Sequence, residues 1–129
     1  MTRRAVTTSA APGAVGPYSQ AITTDDLVFC SGQVGLDSAT GELVSGGVEA
    51  EAERVIRNLE AVLDAAGCTL ADVVKTTCFL ADINDFARFN DVYARFWPDP
   101  PPARSTFQVA ALPRGAQVEI EAIAIRPRG

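Results

Sequence analysis

Apolar side chains recur at three- and four-residue steps between residues 48 and 66: Ala52, Val55, Ile56, Leu59, Val62, Leu63 and Ala66. That spacing lays them along one stripe of an α-helix, the stripe that faces a core. Glu49, Glu51 and Glu53 stand in its first turns, where the helix dipole favours negative charge. Gly67 follows the last apolar residue and suits a C-terminal cap. A second stripe, Phe86, Phe89, Tyr93, Phe96 and Trp97, predicts a helix over 85–97. Asn90 falls inside that stripe and needs a hydrogen-bond partner there, either a nearby backbone group or a partner in a site. Pro98, Pro100, Pro101 and Pro102 then end the helix and force an extended crossing.

The strands are shorter. Residues 27–34 (LVFCSGQV) begin as a strongly apolar strand and meet Gly32, a position for a bulge or a close backbone approach. Residues 73–80 (VVKTTCFL) carry apolar side chains at both parities, as a central strand does. Residues 104–112 and 116–126 flank Pro113-Arg114-Gly115 and read as a hairpin. Residues 8–20 read as a loop, and 37–47 as turn and loop, tightest at Thr40-Gly41. The order of elements predicts one α+β domain over 1–129, a mixed or antiparallel sheet with two helices packed on one face. The other face then needs a cover, and association of copies through it is the natural solution for so small a domain.

Composition narrows the chemistry. At 129 residues, 47% hydrophobic and 21% charged, the chain can bury one real core. A net charge of −5 argues against a nucleic-acid partner, which needs a cationic face, but leaves room for one basic pocket. There is no histidine, which removes Ser-His and Cys-His nucleophile pairs and nearly every zinc or non-haem iron site. Chemistry falls to carboxylates, arginine, the single lysine, tyrosine, cysteine, backbone groups or water. Cys30, Cys68 and Cys78 match no metal or redox spacing and read as buried thiols of a reducing compartment. With no run of 18 apolar residues and no apolar segment after Met1-Thr2-Arg3-Arg4, the expectation is a cytoplasmic protein without a membrane partner.

Candidate site residues follow. Lys75, next to Thr76 and Thr77, shows no apolar or cationic setting that would activate an amine. Arg104 opens a strand directly after Pro-Pro-Ala. It reads either as an edge arginine in a surface ion pair or as a bidentate clamp for a carboxylate. Glu119 and Glu121 share one face of the last strand, either as its solvated end or as a carboxylate that orients water in a pocket. Tyr18, after Gly16-Pro17, reads as loop packing or as a phenol on a pocket rim. Ser31-Gly32 offers unobstructed backbone beside a missing side chain. In a hairpin turning near Arg114, Arg104 pairs near residue 124 and Glu119 lies roughly 17 Å along the partner strand. If the two cooperate, the glutamate comes from a neighbouring subunit.

Several short motifs together resemble one family. They are Gly16-Pro17-Tyr18-Ser19-Gln20, Ser31-Gly32-Gln33, Asn58-Leu59, Val74-Lys75-Thr76-Thr77, and Asn84-Asp85-Phe86 with Asn90. Pro102-Ala103-Arg104-Ser105-Thr106, Leu112-Pro113 and Val118-Glu119-Ile120-Glu121-Ala122 complete the set. Their order over residues 11–126 is similar to that of the reactive intermediate deaminase family (RidA, YjgF or L-PSP). The resemblance implies a chorismate-mutase-like fold, a homotrimer with clefts at subunit interfaces, and no cofactor or metal. It implies hydrolysis of 2-imino or enamino acids, such as 2-aminoacrylate, 2-iminopropanoate and 2-iminobutanoate, to 2-keto acids and ammonia. Arg104 matches the arginine that holds the substrate carboxylate, and Glu119 the glutamate that places the attacking water. Tyr18, Ser31, Gly32, Asn90 and Thr106 match positions lining the cleft. Some members have cysteine where Thr106 stands, so no thiol acts there, and Glu51 stands where glutamine is frequent. A trimer that binds small carboxylates without turnover is the alternative, and an endoribonuclease the more distant one.

Overall fold

The long apolar stripe becomes α1 (Gly47–Ala65) in the computed structural model, which describes residues 2–127. Val55, Ile56, Leu59, Val62 and Leu63 are all fully buried. Gly67 ends the helix as expected, in the left-handed region at φ 80°. Its N–H reaches Asp64 O at 3.0 Å, and that of Cys68 reaches Leu63 O at 2.8 Å, which closes the last turn. The second helix is shorter than its stripe. A 3-10 turn (Ile83–Asp85) precedes α2 (Phe86–Tyr93), and residues 94–97 leave the α-helix. Pro98 bars its predecessor from helical geometry. The last turn therefore tightens, with Arg95 N–H bonding Val92 O and Phe96 N–H bonding Tyr93 O.

Six strands form one sheet: β1 (Arg4–Val6), β2 (Ala21–Thr23), β3 (Leu27–Val34), β4 (Val73–Leu80), β5 (Ala103–Gln108) and β6 (Val118–Ile125). Their spatial order is β1-β2-β3-β6-β4-β5. Only β4 and β5 are parallel, joined by the crossover through α2. Strands β1 and β2, three residues each, carry no periodic signal that their sequence displays alone.

The expected hairpin does not exist. Strand β6 lies between β3 and β4, antiparallel to both, and β5 is an edge strand. The reason is burial. Val118, Ile120, Ala122 and Ala124 are at most 3% exposed and belong to a strand covered on both flanks. Strand β5 turns Arg104, Thr106 and Gln108 toward the helix side, too polar for the centre of a sheet.

Both helices cover one face. The buried side chains of β6, with Val28, Cys30, Thr76, Cys78 and Leu80, meet α1 and α2 there. The opposite face carries Phe29, Phe79, Phe107, Ile123 and Ile125. Phe29 is 42% exposed, and Phe107 and Ile125 are 51%. That is an unusually apolar surface for an isolated domain.

Candidate functional site

Arg104 is the second residue of β5, paired with Thr76 on β4, so its side chain points to the helix face. There the edge of the sheet meets α2. One guanidinium nitrogen donates to Asn90 Oδ1 at 2.8 Å. The guanidinium carbon lies 4.8 Å from the centre of the Tyr93 ring, 5.4 Å from that of Phe86 and 5.9 Å from that of Phe89. Tyr93 is fixed in turn, its hydroxyl 2.7 Å from Thr76 Oγ1. Aromatic faces hold a cation in place while leaving its N–H edge open. No carboxylate among the described residues lies within ion-pair distance of Arg104. The surface ion-pair reading therefore fails. Asn90 serves Arg104 rather than a backbone group. A cavity of about 510 Å³ opens beside them, lined also by Tyr93, Trp97, Asp99 and Pro102.

Glu119 occupies a different place. Its strand pairs with β3, whose register runs Cys30 to Ala122 and then Gln33 to Ile120. Ser31 and Gly32 thus oppose a single residue, the bulge expected at Gly32. The bulge brings the Gly32 backbone beneath the Glu119 carboxylate. Ser31 Oγ donates to Ser19 O at 2.6 Å, and Ser31 N–H to Gln20 O at 3.0 Å, tying the 8–20 loop to the bulge. The buried Gln20 amide donates to Thr8 O and Pro12 O and holds the rest of that loop. Tyr18 is exposed, and its hydroxyl accepts from Val15 N–H at 3.3 Å. A cavity of about 620 Å³ is lined by Tyr18, Ser31, Gly32, Arg114, Glu119 and Glu121. The Glu119 carboxylate accepts no hydrogen bond from any described residue. Burial raises its carboxyl pKa above the ordinary value, and the charge of Glu121 adds to the rise.

Thr106 lies two residues along β5 from Arg104, on the same face and opposite Cys78. Its buried Oγ1 has no hydrogen-bond partner among the described residues. The candidate residues thus form two groups: Arg104, Asn90 and Thr106 on one side, and Glu119 with Tyr18, Ser31 and Gly32 on the other. The expectation that one chain does not bring Arg104 and Glu119 together holds, but for a different reason than hairpin register. Arg104 is level with Thr76 and Ala122, three residues from Glu119 and two strands across. Strand spacing puts their Cα atoms roughly 14 Å apart, with the side chains on opposite faces.

Two contributors escaped the sequence. Arg114 sits in a 3-10 turn (Pro113–Gly115) with left-handed φ of 62°, donates to Gly41 O at 3.0 Å and lines the Glu119 cavity. Glu51 is not a solvated dipole partner. It is buried at 2% exposure, and its carboxylate accepts from Gln117 N–H at 2.8 Å and from Gln117 Nε2 at 2.9 Å. Its spacing from Val48 and Val55 placed it on the buried face. Asn58, on the same face, donates to Val34 O and Leu36 O and secures the end of β3.

Residues 8–126 match the family model described as endoribonuclease L-PSP. The chain belongs to this family. A human relative named 2-iminobutanoate/2-iminopropanoate deaminase is 52% identical over 124 residues, covering 96% of this chain and 90% of the human one. The solved structure of RidA from the Antarctic bacterium Psychrobacter superposes with a TM-score of 0.91 at 47% identity, covering 95% of this chain and 98% of its own. E. coli TdcF with bound serine superposes with a TM-score of 0.91 at 40% identity, covering 96% and 99%. Among the described residues, no helix is long and apolar enough to cross a membrane.

Proposed function

We propose that this chain hydrolyses 2-imino acids, and the enamines that tautomerise to them, to 2-keto acids and ammonia. The observation that carries the reading is the Arg104 guanidinium. It is clamped by Asn90 and three aromatic rings, has no carboxylate of its own among the described residues, and faces a cavity. An arginine fork in that setting takes a small carboxylate by two parallel hydrogen bonds. The deaminase names of relatives about half identical over nearly the whole chain support imines as the acids concerned. The serine held by TdcF supports ligands of amino-acid size. The alternatives are less favoured: the family model carries an endoribonuclease description, but a net charge of −5 suits RNA poorly, and silent carboxylate binding leaves the deaminase names of the relatives unexplained.

The substrate carboxylate fixes C2 of the imine relative to Arg104. Glu119, with its raised pKa, is a stronger base than an ordinary carboxylate. It takes a proton from water as the oxygen adds to C2 and the C=N electron pair moves to nitrogen. The proton passes to that nitrogen and gives a carbinolamine. The carboxylate then moves the hydroxyl proton to the amine nitrogen, the C–N bond breaks, ammonia leaves and the C2–O bond becomes the ketone. Atoms balance as imine plus water giving ketone plus ammonia. An imine is already electrophilic, so placement supplies most of what is needed and no histidine is required. Tyr18, Ser31 and Gly32 border the water side, and Asn90 and Thr106 the carboxylate side.

Arg104 and Glu119 lie on opposite faces, so the working cleft takes them from two copies. The apolar sheet face with Phe29, Phe107 and Ile125 supports association. We read the assembly as a homotrimer of chorismate-mutase-like subunits with clefts at the interfaces. Three buried free thiols support a cytoplasmic setting. The test uses imine generated in situ by an amino-acid oxidase, with keto acid followed over time. Wild-type protein accelerates keto acid release and Arg104→Ala does not. Equal acceleration by the variant overturns the reading.

A further inference from the structure

We propose that Gly32 is a positioning residue for Glu119: the missing Cβ at the β3 bulge is what allows the carboxylate to lie across the strand in its working orientation. The proposal rests on the role of Glu119 given above. A Cβ on Gly32 would stand 2.8 Å from Glu119 Cδ and 3.0 Å from Cγ, and would overlap Oε2. Backbone conformation does not explain the glycine. The left-handed glycines are Gly16, Gly41, Gly46, Gly47, Gly67 and Gly115, and Gly32 is not one of them. Alanine can therefore adopt its backbone. The contrast with Gly35 is instructive: a Cβ there meets the Glu51 backbone, 3.0 Å from its Cα, so a methyl would displace a helix. At Gly32 the three nearest atoms all belong to one flexible side chain. A methyl there moves Glu119 and little else.

The cavity bordered by Tyr18, Arg114 and Glu121 gives the displaced carboxylate room to move. The carboxylate then holds water away from C2 and loses part of the burial that raises its pKa. Loss of about 1 Å in placement costs on the order of 100-fold in rate.

The experiment compares Gly32→Ala, Glu119→Gln, Glu119→Ala and the double variant Gly32→Ala/Glu119→Ala in the imine assay, with thermal melting of each. Gly32→Ala is expected to fold with a wild-type melting temperature and to lose about 100-fold in kcat at little change in KM, because Arg104 still holds the substrate. Adding Gly32→Ala to Glu119→Ala leaves the melting temperature unchanged. Wild-type kcat in Gly32→Ala beside an impaired Glu119→Gln overturns the positioning role alone. A Gly32→Ala chain that fails to fold, or a melting loss that persists in the Glu119→Ala background, overturns it too, since the methyl would then meet something other than Glu119. A fully active Glu119→Gln removes the role of Glu119 and this inference with it.

Discussion

Replacing Glu51 tests the support beneath the candidate base. The two bonds from Gln117 join α1 to the residue that precedes β6, two positions before Glu119. Glu51→Ala removes both acceptors and leaves the Gln117 backbone N–H facing a buried gap. Hydrogen bonds to a charged acceptor contribute about 1.5–3 kcal/mol each, so the loss comes to about 3–6 kcal/mol. Glu51→Gln keeps the shape and one acceptor. Its carbonyl takes the Gln117 backbone N–H, and the Gln117 amide turns over to accept from the new amide. Two neutral bonds replace two charge-assisted ones, which costs about 1–2 kcal/mol. Urea unfolding at one fixed protein concentration reads the order, since association otherwise shifts apparent stability. The expected ranking is wild type, then Glu51→Gln, then Glu51→Ala. A Glu51→Ala chain within about 0.5 kcal/mol of wild type refutes the anchoring role, because surface substitutions alone fall in that range.

Burial first, and then Glu121, raise the Glu119 pKa, so the acid limb of kcat/KM lies above the ordinary carboxylate value. Glu121→Gln moves it to lower pH, and a limb that stays in place contradicts the charge coupling. By linkage, a raised carboxyl stabilises the native state below its unfolded pKa and loses that contribution as pH rises through the folded one. Glu119→Gln therefore keeps or gains stability near neutral pH in a denaturant titration, and a clear loss counts against the raised value. Burial pushes the Cys30 thiol up to about 12 and Cys78 to about 11, and raises Cys68 as well. Alkylation near neutral pH followed by mass spectrometry finds no rapidly modified cysteine in the native protein and three after unfolding, whereas fast native labelling of Cys30 or Cys78 refutes the packing. Phe29→Glu places a charge on the exposed apolar sheet face. Light scattering is expected to show dissociation with loss of imine hydrolysis, and an intact active assembly rules that face out as the interface.

The elements with one strong period were legible. The α1 stripe, the exact span of 27–34 and that of 73–80 all follow from apolar spacing and the residues that interrupt it. Strand neighbours were not. Pro113-Arg114-Gly115 looks like a hairpin turn, but β6 pairs by burial of Val118, Ile120, Ala122 and Ala124, a contest among four strands that no local motif records. The chemistry divides the same way. Arg104 stands out by its Pro-Pro-Ala entry, and Gly32 by interrupting a strand. Their partners, Asn90 for the one and Glu119 for the other, depend on contacts 14 and 87 positions away along the chain. Glu51 shows how a helix-start acid and a buried anchor share one sequence appearance. Only its step from Val48 to Val55 marks the difference.

Subunit mixing tests most directly whether one copy grips the acid while the next delivers water. Arg104→Ala and Glu119→Gln chains, each inactive alone, are unfolded together in equal amounts and reassembled. A cleft works only where an intact arginine meets an intact glutamate across the boundary, which random mixing gives in about one cleft in four. Recovery of about a quarter of wild-type keto acid release is the predicted result. Mixtures as silent as their two parents contradict the shared cleft.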